Sequence, residues 1–234
     1  MKLELTCDAL ELAHPLEGAG ALSFGLPPGS AMVVLGRNGT GKSTLLRTLA
    51  GLDIPKEGAV TLGSTPVAKM PPRRRARHLA FVSSTPPRGA ALTVQEVIEL
   101  ALEAGGRPTT MALVQAAMDK GGIASWADKP IDTLSDGMAQ KVMLARAATQ
   151  ADSVVLLDEP TAFLDVVGRR EVMAAVGAWR DEGKSVVLAT HDLDAVEEAG
   201  WANRWMVMRP PAQGGTLIME SPFTSAAAKQ LLTA

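Results

Sequence analysis

Residues 36–43 read GRNGTGKS, and they decide the fold because they fill every fixed position of the phosphate-binding pattern G-x-x-x-x-G-K-[ST]. An apolar run, 32–35, precedes this stretch, and a helix-like run, 44–50, follows it. The motif therefore lies between a predicted strand and a predicted helix, a context that distinguishes it from a chance glycine-rich turn. The residues expected to surround bound phosphates are Gly36, Arg37, Asn38, Gly39, Thr40, Gly41, Lys42, Ser43 and Thr44.

The residue types in this loop indicate what it binds. Its glycines lack a Cβ, so the backbone can curl and turn successive N–H groups toward phosphate oxygens. The helix that follows adds the positive end of its dipole. Lys42 can reach the β- and γ-phosphates, and the Ser43 hydroxyl can ligate Mg²⁺. We therefore predict that the ligands are a nucleoside triphosphate and Mg²⁺.

The composition is that of an ordinary globular protein. A chain of 234 residues, 47% hydrophobic and 21% charged, suffices for one sizeable domain with a core. The net charge of −2 gives no global basic field, so no nucleic-acid partner is expected. Cys7 is the only cysteine, which favours a reducing compartment and a small buried side chain over a reactive thiol. We expect neither a secretory signal nor a membrane-spanning run.

Apolar runs and helix-like stretches alternate along the chain, which predicts an α/β fold with a mostly parallel sheet. Short β-elements are expected in 1–35, and further strands at 58–63, 79–82, 154–157, 185–189 and from 207 onward. The predicted helices are 93–102, 109–119, 137–149, 167–182 and a short one ending at 234. We expect a single domain, 1–234, with a core formed by 1–83 and 150–234 and an inserted helical subdomain, 84–149.

Two local signals lie near the start of the helical block. Residues 69–78, KMPPRRRARH, are basic and broken by proline. We interpret them as a solvated loop leading into a strand rather than as a nucleic-acid patch, because no aromatic side chain interleaves the arginines. Thr93 and Glu96 have the spacing of a capping box at a helix N-terminus.

Two carboxylates, Asp158 and Glu159, end the buried run 154–157. Ligands in open α/β sheets bind at the carboxyl ends of the strands. Asp158 is therefore positioned to hold Mg²⁺, commonly through water. Glu159 could polarise a water for in-line attack on the γ-phosphate. A solvent-facing acidic pair is the alternative, and the phosphate loop upstream favours the catalytic interpretation.

Five motifs follow one another in a fixed order: the loop at 36–43, LSDGMAQ at 134–140, DEPT at 158–161, FLD at 163–165 and THD at 190–192. The segment 134–140 resembles the LSGGQ signature of ATP-binding-cassette (ABC) ATPases, although Asp136 and Met138 replace a glycine and the glutamine. The whole chain thus resembles an ABC ATPase domain. This resemblance implies a P-loop NTPase (RecA-like) core, an N-terminal antiparallel β subdomain and a helical subdomain that carries the signature.

The resemblance also implies roles for single residues. Two ATPase domains would pair head to tail and enclose two ATP molecules. Ser135 and Gly137 of one chain would contact the γ-phosphate held by the partner, since a hydroxyl and N–H groups at a helix N-terminus form an anion site. Glu159 would be the catalytic base, Asp165 would cross the dimer interface, and His191 would contact the γ-phosphate.

Two departures from the family pattern concern ligand contacts. These ATPases usually carry a glutamine where this chain has Ser84, just after the strand 79–82. The serine is shorter by two atoms, so its expected contact with Mg²⁺ would need a bridging water. The chain contains no tyrosine, and His14 occupies the place of the aromatic residue that stacks on adenine. His14 could stack in its stead, or it could be a surface residue beside Pro15.

Among ABC ATPases, the chain most resembles importer subunits of the iron-siderophore, haem and vitamin B12 type. This implies a peripheral homodimer on the cytoplasmic face of the inner membrane, docked on two polytopic permease subunits. A periplasmic or extracellular substrate-binding protein would be an indirect partner. A groove beside 84–125 would receive a permease helix. The candidates to line it, or to be buried in the subdomain core, are Leu92, Val94, Val97 and Ile98.

Other classes of ABC ATPase remain alternatives at this stage. DNA-repair clamps carry long coiled-coil heptads, which this sequence lacks. Ribosome-acting members usually hold two cassettes, and this chain has one. A soluble ATPase of iron–sulfur cluster assembly is harder to exclude by architecture. A nucleotide-binding regulator that barely hydrolyses ATP is a third possibility, because of Ser84, although intact Lys42, Asp158, Glu159 and His191 argue against it.

Overall fold

A six-stranded sheet forms the centre of the molecule in the computed structural model, which describes residues 2–13, 20–87, 89, 91–209 and 215–233. Its strands are β3 (Ala31–Leu35), β6 (Leu79–Val82), β7 (Val154–Asp158), β8 (Ser185–Ala189), β9 (Arg204–Val207) and β10 (Leu217–Met219). Their spatial order is β10-β9-β3-β8-β7-β6. Only the β9–β10 pairing is antiparallel, which confirms the predicted mostly parallel sheet.

A second, four-stranded sheet is built from the N-terminal part of the chain. Its strands are β1 (Leu5–Glu11), β2 (Leu22–Leu26), β4 (Glu57–Leu62) and β5 (Thr65–Pro66). They pair antiparallel in the order β2-β1-β4-β5, which confirms the predicted antiparallel β subdomain. Cys7 lies in β1 with 1% exposure, and burial raises the pKa of its thiol to about 12, as expected for a packing residue.

Helices cover the central sheet and form a block of their own. They are α1 (Lys42–Leu49), α2 (Pro72–His78), α3 (Val94–Ala104), α4 (Met111–Lys120), α5 (Asp136–Gln150), α6 (Val166–Asp181), α7 (Leu193–Ala199) and α8 (Ser225–Thr233). Helices α3, α4 and α5 pack on one another and lie in the chain between β6 and β7, which confirms the inserted helical block. Within the described residues, none of the helices has the length and apolar character needed to cross a bilayer.

The central strands are buried on both faces, which explains their continuous apolar runs. In β3, Met32 and Val34 pack with the four-stranded sheet and α1, whereas Val33 and Leu35 pack with the helices of the opposite face. Side chains of a strand alternate between its faces, so one run of five residues serves two cores. Packing on both faces of the sheet therefore holds in place the edge at which these strands end.

Three parts of the chain differ from the sequence-based expectation. The basic stretch 69–78 is not a loop throughout, because Pro72–His78 forms α2, with Pro72 near its start, where a proline suits the helix. The strand predicted from Val207 onward is two strands, since β9 ends at that residue and β10 begins at Leu217. Helix α7 was not predicted, although Asp192 caps it by accepting a hydrogen bond from the backbone N–H of Ala195.

The predicted capping box at Thr93 is present, and it allows a matched test. The Thr93 hydroxyl accepts from the Glu96 N–H at 3.2 Å, and the Glu96 carboxylate accepts from the Thr93 N–H at 2.7 Å. We expect Thr93→Ala to lower the free energy of unfolding by about 1 kcal/mol in urea denaturation. Thr110 begins α4 without a side-chain cap, so Thr110→Ala is the control. Equal losses in the two variants would contradict the capping role.

Candidate functional site

The predicted phosphate loop connects β3 to α1. It leaves the central sheet after Leu35 and enters the helix at Lys42. Gly41 has a φ of 93°, a conformation that other residues rarely adopt. A Cβ built on Gly36 would lie 2.9 Å from the Met208 carbonyl oxygen, so the loop also needs a residue without a side chain there. The chain can follow this path only because glycine occupies both positions.

A cleft of about 290 Å³ opens at this loop. It brings together the loop, the first turn of α1 and the residues that follow β6 and β7. The residues that line it are Asn38, Gly39, Gly41, Lys42, Ser43, Thr44, Ser84, Asp158 and Glu159. Residues predicted for phosphate, metal and water from three separate sequence motifs thus face one space.

Lys42 is largely buried at the start of α1, with 7% exposure. Its Nζ donates to the carbonyl oxygens of Gly36 at 2.8 Å and Arg37 at 3.3 Å. The ammonium group is therefore held across the loop by the loop's own backbone. An arriving phosphate would meet a positive charge that is already oriented, since both contacts fix the side chain.

Asp158 ends β7 inside the cleft and is 4% exposed. Its Oδ1 has no hydrogen-bond partner among the described residues. A buried carboxylate oxygen without a donor is costly unless a cation or water satisfies it. Ser43 and Ser84 line the same cleft and add hydroxyl oxygens. This oxygen-only donor set fits a hard divalent cation such as Mg²⁺.

Glu159 and His191 form a direct pair beside the cleft. The Nδ1 of His191 lies 2.7 Å from the Glu159 Oε2, and the His191 backbone N–H donates to the same oxygen at 3.3 Å. Glu159 has a φ of 48°, and its N–H donates to the Ala189 carbonyl at the end of β8. The left-handed backbone turns the carboxylate toward His191 and the cleft, at a cost in conformational free energy.

The signature segment, 134–140, lies outside this cleft. Ser135 caps α5 by accepting from the Met138 N–H at 3.3 Å. A Cβ built on Gly137 would lie 3.0 Å from the Phe163 carbonyl oxygen and 3.4 Å from the Leu164 Cδ2, so the start of α5 packs on residues 163 and 164. Asp165 caps α6, with its Oδ1 accepting from the Gly168 N–H at 2.7 Å. Ser135, Gly137 and Asp165 do not line the cleft of their own chain.

Sequence reasoning missed Arg169, which connects two of the predicted segments. Its Nε donates to the Leu164 carbonyl at 3.1 Å, and its Nη1 lies 3.3 Å from the Asp192 Oδ2. It thus ties the residue before Asp165 to the residue after His191. The available signal was its position four residues after Asp165, on the same helical face.

The remaining predicted residues have simpler placements. The Thr40 hydroxyl donates to the Arg37 carbonyl at 2.9 Å, so this pair stabilises the turn of the loop. Arg37, Thr40 and Gly36 belong to the loop but do not line the cleft. His14 lies outside the described residues.

Comparisons with known proteins point to one family. Residues 20–162 match the family model described as ABC transporter. The iron(3+)-hydroxamate import ATP-binding protein of Bacillus subtilis is 31% identical over 180 residues, covering 74% of this chain and 67% of that protein. The achromobactin transport ATP-binding protein of Dickeya dadantii is 35% identical over 184 residues, covering 74% and 67%.

A further relative and one solved structure complete the comparison. The cobalamin import ATP-binding protein of Halobacterium salinarum is 39% identical over 198 residues, covering 81% of this chain and 50% of that protein. The solved structure of an ATP binding subunit of an ABC transporter superposes with a TM-score of 0.76 at 24% identity, covering 87% of this chain and 85% of that one. The structural likeness supports the fold.

Proposed function

Because the chain belongs to the ABC transporter family, we propose that it is the ATP-hydrolysing subunit of an importer for an iron-siderophore complex, haem or vitamin B12. The observation that carries the ATPase part is the cleft itself, where Lys42, Asp158 and Glu159 face one space. The named activities of the hydroxamate, achromobactin and cobalamin relatives support the importer part.

The loop residues would bind the triphosphate. Backbone N–H groups of the loop would turn toward the phosphate oxygens, and Lys42 would exchange its two loop carbonyls for the β- and γ-phosphates. Ser43 and Asp158 would hold Mg²⁺, with Ser84 reaching it through water. When bound, the ion would neutralise charge on the phosphate oxygens.

Glu159 would act as general base for hydrolysis. Its carboxylate takes a proton from water while the water oxygen bonds to the γ-phosphorus and the bond from that phosphorus to the bridging oxygen breaks. The products are ADP and inorganic phosphate. His191 would position Glu159 through the 2.7 Å contact and reach the γ-phosphate itself. Both residues follow adjacent strands, and the pairing of β7 with β8 brings their side chains together.

A second copy of the chain would complete the site. Ser135 and Gly137 lie away from the cleft of their own chain, at the start of α5, where the Ser135 hydroxyl and the positive end of the helix dipole favour an anion. In a head-to-tail dimer these groups would contact the γ-phosphate bound by the partner copy. Asp165, which follows the residues Phe163 and Leu164 that lie against Gly137, would lie at the interface between the two copies.

An apolar groove of about 510 Å³ would receive a permease helix. It lies between β6 and the helical block, and its lining includes Phe81, Pro87, Leu92, Val97, Leu100 and Met143. Of the four candidates from the sequence, Leu92 and Val97 line this groove, whereas Val94 and Ile98 are fully buried. The chain would thus be a peripheral subunit at the cytoplasmic face of the inner membrane, docked on two polytopic permease subunits. A substrate-binding protein on the other side would be an indirect partner.

Co-purification tests this assignment most directly. The tagged chain is recovered from gently solubilised membranes, and the proteins that accompany it are identified. We expect a polytopic membrane subunit at equal stoichiometry. Leu100→Glu, at the half-exposed edge of the groove, should lose that subunit, whereas Leu113→Glu, an exposed position that does not line the groove, should keep it. Recovery with soluble partners only would reject the transporter assignment in favour of a soluble ABC ATPase, such as one of iron–sulfur cluster assembly.

A further inference from the structure

The basic stretch 69–78 forms a surface that the proposed function leaves unused. Helix α2 has no buried residue, and Arg73 and Arg74 are exposed, as is Lys69 just before the helix. None of these three cations forms an ion pair with another described residue. Their charge is therefore directed at solvent or at a partner.

Two acidic residues near this helix, Asp152 and Asp53, are already paired. Asp152 binds Arg77 at 3.2 Å and also contacts Arg107. Asp53 accepts two hydrogen bonds from Arg47, each at 2.8 Å. The positive charge of Lys69, Arg73 and Arg74 is consequently not neutralised from within these elements, although the whole chain is slightly acidic.

Two large aliphatic side chains are exposed next to the helix. Arg75 of α2 donates to the Gly51 carbonyl at 2.9 Å, which joins α2 to the loop that follows α1. In that loop Leu52 is 50% exposed and Ile54 is 81% exposed. The paired Arg47 and Asp53 brace the loop, so both apolar side chains remain presented.

The position of this surface suits a membrane. Leu52 and Ile54 follow the C-terminal end of α1, about 12 Å along the helix from the phosphate loop. Helix α2 contacts α3 and runs directly into β6, and both elements contribute to the apolar groove. The surface therefore adjoins the groove that would face the permease and lies apart from the nucleotide cleft.

We propose that Leu52, Ile54, Lys69, Arg73 and Arg74, here called the basic face, rest on the anionic phospholipid headgroups of the membrane. Unpaired cations beside exposed aliphatic side chains are the combination that binds the boundary between headgroups and acyl chains. Nucleic acid would be expected to use aromatic side chains among the cations, and 69–78 contains none. The inference rests on the proposed function, which places the chain at a membrane. The basic face would orient the subunit beneath the permease.

Vesicle co-sedimentation of the purified chain, without any permease, tests the inference. We expect binding to vesicles of phosphatidylcholine with about one-third phosphatidylglycerol, little binding to phosphatidylcholine alone, and release at high salt. Each cation near an anionic leaflet contributes about 1 kcal/mol, which is about fivefold in partitioning. Arg73→Ala with Arg74→Ala should therefore weaken binding about 25-fold and leave the basal ATPase rate unchanged.

A control with the same change of charge is available at a distance. Arg170→Ala with Lys229→Ala removes two exposed cations from α6 and α8, where both are paired with carboxylates. This variant should bind anionic vesicles nearly as well as the parent chain. An equal loss of vesicle binding in the two double variants would overturn the inference, because net charge alone would then explain the effect.

Two further outcomes separate this inference from the proposed function. Lack of binding to anionic vesicles, or equal binding to neutral ones, overturns the basic face whatever the permease result. The inference would also be overturned if Arg73→Ala with Arg74→Ala no longer co-purified with the permease in detergent but still bound vesicles as the parent chain does. That result would assign the basic face to an acidic protein segment. Binding to anionic vesicles, weakened in that variant, supports it even if co-purification finds no membrane subunit.

Discussion

Replacing Glu159 with glutamine lowers the ATP hydrolysis rate by about 100- to 10,000-fold while ATP still binds. The amide keeps the shape of the side chain but cannot take a proton from water. Binding should persist because Lys42 and the loop glycines, which are proposed to hold the phosphates, are unchanged. Phosphate release measures the rate, and equilibrium binding of ATP measures the affinity. The ATP-bound variant should also accumulate as a dimer in size-exclusion chromatography, since hydrolysis no longer releases the partner.

A matched control for this prediction is Glu171→Gln. Glu171 is an exposed carboxylate on α6 that pairs with Lys141, and it lies outside the cleft. This variant should hydrolyse ATP at the rate of the parent chain. If Glu159→Gln hydrolyses ATP as fast as the parent does, Glu159 is not the base, and the proposed chemistry fails.

Replacing Lys42 with alanine weakens ATP binding about 10- to 100-fold, the value of a hydrogen bond to a charged group, about 1.5–3 kcal/mol. The ammonium is nearly buried and already oriented by Gly36 and Arg37, so little else in the cleft can replace its charge. Isothermal titration with ATP measures the loss. The rate at saturating ATP should fall as well, because in the proposed mechanism the same charge faces the γ-phosphate during transfer.

The control for Lys42 is Lys56→Ala. Lys56 is exposed and pairs with Glu11 at 3.0 Å on the N-terminal sheet, away from the cleft. Thermal unfolding without nucleotide separates lost binding from lost structure, since Lys42→Ala removes two hydrogen bonds from the loop. Unchanged ATP affinity in a folded Lys42→Ala protein would contradict the phosphate-binding role.

The central sheet was predictable because burial on both faces makes its strands short apolar runs. The runs at 154–157 and 185–189 correspond to β7 and β8 almost residue for residue. Helix α2 is not predicted by the sequence pattern, because prolines commonly interrupt helices, whereas Pro71 and Pro72 precede and begin this one. Helix α7 was missed because it has seven residues and one fully buried side chain, Val196, too few for a clear period.

The residues of the candidate site were predictable from linear motifs, but their relations were not. Spacing along the chain places Glu159 and His191 after two strands, and only the pairing of β7 with β8 brings their side chains to 2.7 Å. The link that Arg169 makes between 164 and 192 depends on the packing of α6 against α7. Such contacts follow from tertiary structure, which a single sequence does not encode in any local pattern.

The left-handed backbone of Glu159 lowers the stability of the fold at a position where the proposed mechanism needs this side chain. A residue with a Cβ in this conformation costs about 1–2 kcal/mol relative to its preferred region, a cost that glycine avoids. Directed evolution of this chain for heat resistance alone would therefore favour glycine at 159, and under the proposed mechanism the survivors would be stable proteins that no longer hydrolyse ATP. Any such campaign must select for turnover in every round to keep this glutamate.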